Sequence, residues 1–195
     1  MSYRMYRTKA YVLRRWNRDE SSVLVSLYTE EFGHIQAHAQ GIREPHSKLR
    51  SSLQMFALIS VELVRGKKMW RITNAIIDTY PWHPGSYQSH VSPLIARTFS
   101  LLERLTPGEE SNPEIFRVCG TLYSLANNKE ISVEIKDSLE ILVMLRILAY
   151  LGYVDAEKYK TYIYSDDDLA LVSDIQKEKR SLVSVINEGL RESHL

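Results

Sequence analysis

Residues 23–40 read VLVSLYTEEFGHIQAHAQ, and this stretch decides the fold. Val23 to Tyr28 is a run of aliphatic, β-branched and aromatic residues, the composition of a strand. Glu30-Glu31-Phe32-Gly33-His34 supplies a turn, with Gly33 the residue expected at positive φ. Ile35 to Gln40 then sets Ile35, Ala37 and Ala39 against Gln36, His38 and Gln40, a period of two. The order strand, turn, alternating strand identifies β structure.

Outward from this core, Ala10-Tyr11-Val12-Leu13 reads as a short strand before it. Gly41 to Lys48 holds Gly, Pro and polar residues and reads as a loop. Leu53 to Val64 contains a fourth strand, clearest at Leu58 to Leu63. Arg65-Gly66-Lys67-Lys68 is a basic hairpin turn, and Met69 to Ile77 returns as the fifth strand. Five short strands with turns about every ten residues predict a small barrel. Their extent, residues 1–80, suits an OB-fold, the five-stranded barrel that often binds oligonucleotides.

Tyr80-Pro81-Trp82-His83-Pro84-Gly85 interrupts the pattern with two prolines and a glycine. A linker is expected at about residues 80–86, between a barrel domain, 1–80, and a helical domain, 81–195. Beyond it the period is helical. Val91 to Leu105 has an apolar stripe and ends at Pro107-Gly108. Asn112 is positioned to cap a second helix whose first residue is Pro113. Ser132 begins a third, with Gly152 as its stop. That helix is apolar nearly all round, from Leu139 through Arg146 to Leu151, which marks the centre of a bundle. Leu169 to Leu190 is a last helical stretch. The fold class is thus α+β, an N-terminal five-stranded OB-fold barrel followed by an all-α domain.

Composition agrees with a globular chain, 44% apolar and 25% charged over 195 residues. No run reaches membrane-spanning length, and Met1 to Lys9 has no apolar signal core. The single cysteine, Cys119, can form neither an internal disulfide nor a cysteine-based zinc site. A cytoplasmic location follows as the simplest expectation. The net charge of +1 hides an asymmetry. Residues 1–80 carry 13 Lys and Arg against 7 Asp and Glu, whereas residues 81–195 carry 12 against 17. A basic first half suggests a polyanionic partner.

Catalytic constellations are missing. There is neither a glycine-rich phosphate loop nor a Gly-x-Ser-x-Gly elbow. His34 and His38 are four apart, but in a strand that places them about 13 Å from one another. Asp166-Asp167-Asp168 lacks the Gly and terminal Glu of a calcium loop and reads as a solvated turn or helix start. An enzyme such as a nuclease would need clustered metal-binding acids or histidines, so a non-enzymatic role is expected.

The chemistry lies in the basic residues of the first half. Arg14, Arg15 and Arg18 follow the first strand; Arg43, Lys48 and Arg50 flank the long loop; Arg65, Lys67, Lys68 and Arg71 surround the hairpin. Converged on one barrel face, they would track a phosphate backbone. Trp16, in Arg-Arg-Trp-Asn-Arg, is the best candidate to stack on an unpaired base. Phe56 reads as core, and Trp70 is balanced between core and stacking surface.

The first half resembles the RecO family of recombination and repair mediators. Val12-Leu13-Arg14 followed by Glu20 to Val25 is similar to that family's opening strand pair. Tyr28-Thr29-Glu30-Glu31-Phe32-Gly33 resembles its T-E-x-x-G strand end, and Ala39-Gln40-Gly41-Ile42-Arg43 with Ser47-Lys48-Leu49 its A-x-G-x-R…S-x-L segment. Leu53-Gln54-Met55-Phe56 resembles L-Q-P-F, with Met55 at the proline position. Arg65-Gly66 and Ile72-Thr73-Asn74-Ala75 complete the series, which covers residues 10–78. In the second half only Leu139-Glu140 to Leu151-Gly152-Tyr153 is similar.

The resemblance implies binding of single- and double-stranded DNA, annealing of complementary strands, and loading of RecA, with RecR, onto DNA coated by single-strand-binding protein. It implies that protein's C-terminal tail as a second partner, a nucleoid-associated location, no membrane, and a backbone-geometry role for Gly33 and Gly41. Many family members carry a four-cysteine zinc module after the LGY helix. Tyr153 to Leu171 has no cysteine, so no zinc or other cofactor is expected. Arg97, Arg104 and Arg146 lie on apolar helices, where they could receive an acidic tail but read more simply as surface charges or an internal ion pair. The competing readings are a generic OB-fold module for single-stranded nucleic acid and an adaptor whose barrel is only a scaffold.

Overall fold

A computed structural model describes residues 4–42, 47, 49–67, 69–80, 91–106, 108–127 and 132–193. These fall into two compact units, Met1–Gly85 with Phe99–Phe116, and Ser86–Thr98 with Arg117–Leu195.

The first unit is a closed five-stranded barrel. Its strands are β1 (Met5–Asn17), β2 (Val23–Thr29), β3 (Gly33–Ala39), β4 (Leu58–Arg65) and β5 (Trp70–Thr79), and a short helix α1 (Leu49–Ser52) precedes β4. The spatial order is β1-β2-β3-β5-β4, and β4 pairs back onto β1. All neighbours are antiparallel except β3 and β5, which pair in parallel at two positions only, Ala37 with Trp70 and His38 with Arg71. The α+β class and the N-terminal OB-type barrel expected from the sequence are both present.

The period-two pattern explains the interior. Val23, Val25, Leu27, Ile35, Ala37, Ala39, Ile59, Val61, Leu63, Trp70 and Ile72 point inward as one core, closed by Ile42, Leu53 and Ala57. Trp70 is therefore core, at 2% exposure. β2 is buried on both faces, so its sequence runs apolar instead of alternating. On the neighbouring strand β1 the Tyr11 ring meets Phe99 at 5.4 Å and Phe116 at 4.7 Å.

β1 is much longer than the Ala10–Leu13 segment recognisable in the sequence. Its first half, Met5 to Tyr11, pairs with β4, and its second half, Ala10 to Asn17, pairs with β2. A bulge between Val12 and Arg14 shifts the register within the second half. As a result Val12 and Arg15 both lie on the inward face, opposite Leu27 and Val25.

The second unit contains α4 (Val133–Tyr150), the short α5 (Lys160–Ile163) and α6 (Val172–Glu192). The division between units falls within α2 (Val91–Leu105) and α3 (Pro113–Asn127). Asn112 Oδ1 accepts from Ile115 N at 3.1 Å, and Ser132 caps α4. Gly152 ends that segment at φ 83°. From Ser138 to Ala149 α4 is buried on almost every side, as expected for a central helix. The last helix starts at Val172, not Leu169. Asp167 Oδ1 takes the Ala170 N–H, which holds 168–171 as a turn.

Arg146 lies inside this unit at 3% exposure. Its guanidinium donates to the Tyr162 carbonyl (2.9 Å), the Ser165 carbonyl (2.7 Å) and the Asp168 carboxylate (2.6 Å). One buried cation thus gathers the loop between α5 and α6. Arg97 pairs with Glu140, so Arg97 and Arg146 form intramolecular ion pairs, whereas Arg104 is an exposed surface charge.

Candidate nucleic-acid interface

The outer face of β1-β2-β3-β5 carries a row of side chains set by strand register. Trp16 stands opposite Leu24, Leu24 opposite His38, and His38 opposite Arg71. The next row is Arg14, Ser26 and Gln36. Arg14, Gln36 and Arg71 are exposed, whereas Trp16, Leu24 and His38 are half-buried. The Arg14 guanidinium lies 5.2 Å from the Trp16 ring centroid, a cation–π contact that fixes both side chains. Nothing in the local sequence singles out Leu24, Gln36 and His38. The alternation in 35–40 puts Gln36 and His38 on the outer side, but not beside Trp16.

Two turns rim this face. Between β1 and β2, Asp19 Oδ1 accepts the Ser21 and Ser22 N–H groups at 3.0 and 2.8 Å. Bonding from the Ser22 hydroxyl and then the Ser21 N–H holds the Asp19 carboxyl below its usual range. A depressed carboxyl pKa stabilises the folded turn above the unfolded value, and that support is lost as pH falls through the lowered folded value. Circular dichroism of Asp19→Ala should show no such acid-dependent step in this turn. At the β4–β5 turn, Arg18 Nη1 donates to Met69 Sδ at 3.1 Å, which brings Arg18 and the exposed Lys67 to one rim.

The remaining predicted residues are placed differently. Arg15, on the inward face, donates to the Leu53 carbonyl at 2.7 Å. Burial, then the neighbouring Arg50 cation, lowers its pKa from the ordinary arginine value. Arg15 therefore ties β1 to the segment after α1, and Arg50 stands close by. Arg65 is turned to Glu109, with Nη2 3.0 Å from the carboxylate, and lies over the Trp70 ring. Arg43, Lys48 and Lys68 lie outside the described residues. Among the described residues Arg18, Arg50 and Lys67 have no carboxylate partner, whereas Arg14 has Glu103 at 4.0 Å.

Gly33 and Gly41 both adopt positive φ, 64° and 68°. At Gly33 the reason extends beyond the turn. A Cβ there would collide with the Glu110 carbonyl oxygen. Thr106 and residues 108–112 form a strap that starts at this point. His34 Nδ1 bonds the Thr106 carbonyl, which can only accept, so Nδ1 carries a proton, and Nε2 shares a hydrogen bond with Ser26 Oγ at 2.8 Å. Ser111 Oγ donates to the Glu30 carbonyl at 2.8 Å.

Among the described residues no three His, Cys, Asp or Glu side chains gather as metal ligands, and no helix is long and apolar enough to cross a membrane. Burial pushes the Cys119 thiol well above its ordinary pKa.

The family model described as "Recombination protein O N terminal" matches residues 1–80. Over 153 residues the chain is 32% identical to the DNA repair protein RecO of Heliobacterium modesticaldum, covering 77% of this chain and 52% of that protein. It is 30% identical over 161 residues to the protein of the same description from Clostridium novyi, covering 79% and 59%. To that of Dehalococcoides mccartyi it is 30% identical over 127 residues, covering 64% and 49%. The chain spans about half the length of these curated relatives.

Proposed function

We propose, on the premise that residues 1–80 are a RecO-type N-terminal domain and the chain a relative of RecO proteins, that the barrel binds DNA in repair and recombination. The observation that carries this reading is the outer row Trp16–Leu24–His38–Arg71, with Arg14 beside it and Arg18 and Lys67 at its rim. Such a face offers cations to the phosphate backbone and a half-exposed indole to an unpaired base.

Single strands fit this face best, because stacking on Trp16 needs a base free of its partner. Duplex DNA would use the cations alone. Annealing requires no reacting group, only neutralised phosphates and loosely held bases, and the same surface supplies both. Loading of RecA together with RecR, on DNA covered by single-strand-binding protein, and capture of that protein's tail belong to the same proposal by kinship. No catalytic step and no metal cofactor is part of it.

Fluorescence anisotropy of a labelled single-stranded oligonucleotide across a salt series tests the reading. Each phosphate contact contributes about −0.7 to the slope of log K against log salt for single strands. Reversing Arg14, Arg18 and Lys67 to Glu should make the slope shallower by about 2 and weaken binding to every sequence. Trp16→Ala should cost single strands about 1–3 kcal/mol and duplexes much less. Equal losses for the two DNA forms would remove the stacking role. Full affinity in the folded triple variant would remove this face as the DNA site. Binding without accelerated annealing of a complementary pair would reduce the function to that of a simple single-strand-binding module.

A further inference from the structure

Glu109 is the part of the strap that touches the barrel through charge. Its carboxylate accepts the Trp70 indole N–H at 3.0 Å through Oε1 and pairs with Arg65 Nη2 at 3.0 Å through Oε2. The Arg65 guanidinium in turn covers the Trp70 ring, 5.1 Å from its centroid. A cation and an N–H donor therefore converge on one anionic group, and the indole beneath them is fixed in the core. The Glu109 side chain itself is 41% exposed. Arg65 and Trp70 flank the β4–β5 turn that carries Lys67, so this cluster stands beside the turn that rims the outer face.

We propose that Arg65 and the Trp70 indole N–H form a phosphate subsite that Glu109 occupies in the unliganded protein. The proposal deepens the DNA-binding reading and rests on it. A carboxylate and a phosphate oxygen make the same demand on a guanidinium and an N–H donor, and both are anions. The strap thus lends the barrel an internal substitute for the polyanion. Arrival of a DNA strand exchanges one anion for another at Arg65 and frees Glu109 to the solvent that already reaches it. The intact contact lowers affinity for DNA, and it keeps Arg65 and Trp70 oriented until a phosphate replaces it.

The test uses the whole chain and one single-stranded oligonucleotide. Glu109→Gln retains an acceptor for Trp70 and removes the charge; Glu109→Ala removes both. Each should raise affinity three- to tenfold at about 50 mM salt and steepen the slope of log K against log salt by about 0.7, one added phosphate. Adding Arg65→Ala to Glu109→Gln should return affinity and slope to the original level or below. In a ¹⁵N spectrum the Trp70 indole N–H should shift on titration of the oligonucleotide into the unaltered protein. If the unaltered protein binds and the Glu109 variants, folded by circular dichroism, bind no better, the subsite is wrong while the DNA-binding reading stands. If neither the unaltered protein nor any variant binds, both fail.

Discussion

Gly33→Ala should lower the stability of the barrel unit by about 2–5 kcal/mol. The left-handed conformation at φ 64° costs an L-residue about 1–2 kcal/mol. Crowding adds about 1–3 kcal/mol, because the new methyl group meets the Glu110 backbone, which cannot swing away as a flexible side chain would. For a unit of about 100 residues this corresponds to a melting temperature lower by roughly 10–25 °C. Gly152→Ala is the natural control. Gly152 is also left-handed, at φ 83°, but apart from its chain neighbours no atom lies within 4 Å of the position its Cβ would take. Only the conformational term of about 1–2 kcal/mol should appear there. Scanning calorimetry of both variants separates strain from collision. Equal losses would mean that the strap does not lie against the β2–β3 turn.

The second large effect is expected at Arg146. Arg146→Met should cost about 3–5 kcal/mol, the range for removing one partner of a buried ion pair. The loss strands the Asp168 carboxylate, 13% exposed, and leaves the Tyr162 and Ser165 carbonyls without their donor. Arg146→Lys should also be costly, since one ammonium cannot reproduce the planar fork that reaches three acceptors. Combining Arg146→Met with Asp168→Asn should recover part of the loss by removing the uncompensated charge. Urea unfolding gives the magnitudes, and amide exchange between residues 160 and 171 should quicken most in Arg146→Met. A substitution that leaves this loop protected would show that Arg146 does not organise it.

Much of this architecture is legible in the sequence where the signal is local. The β2–β3 pair follows from an apolar run, a glycine turn and a clean alternation. The caps at Asn112 and Ser132 follow from side chains that accept N–H groups two or three positions on. The first half of β1 is not legible. Met5 to Lys9 mixes charged and apolar residues without a strand-like run, and β4, more than fifty residues away, holds it extended. Helix α1 is hidden for a related reason, being one turn within a loop-like stretch.

The candidate site divides in the same way. Arg14, Trp16, Arg18, Lys67 and Arg71 are recognisable as basic and aromatic residues near turns, and their type is a local property. Their neighbours are not. The row from Trp16 to Arg71 needs a parallel β3–β5 pairing that no local pattern encodes. The inward position of Arg15 depends on a single extra residue in a bulge, which leaves no mark on composition. Glu109 could not be connected with Arg65 from sequence, since α2 reads as one continuous helix leading into a separate domain. Trp70 illustrates how an ambiguous aromatic is decided, because it follows the same inward alternation as Ile72.

The pairing of β1 with β4 also bears on how the chain emerges during synthesis. Met5 finds Val64 only after the intervening residues have been made. At about 5–20 residues per second, that leaves the leading strand without its partner for roughly 3–12 s. An unpaired strand edge is a template for pairing between nascent chains. Arg7 and Lys9 alternate along this half-strand and remain exposed in the finished barrel. Their mutual repulsion between neighbouring nascent chains would protect the open edge until β4 arrives.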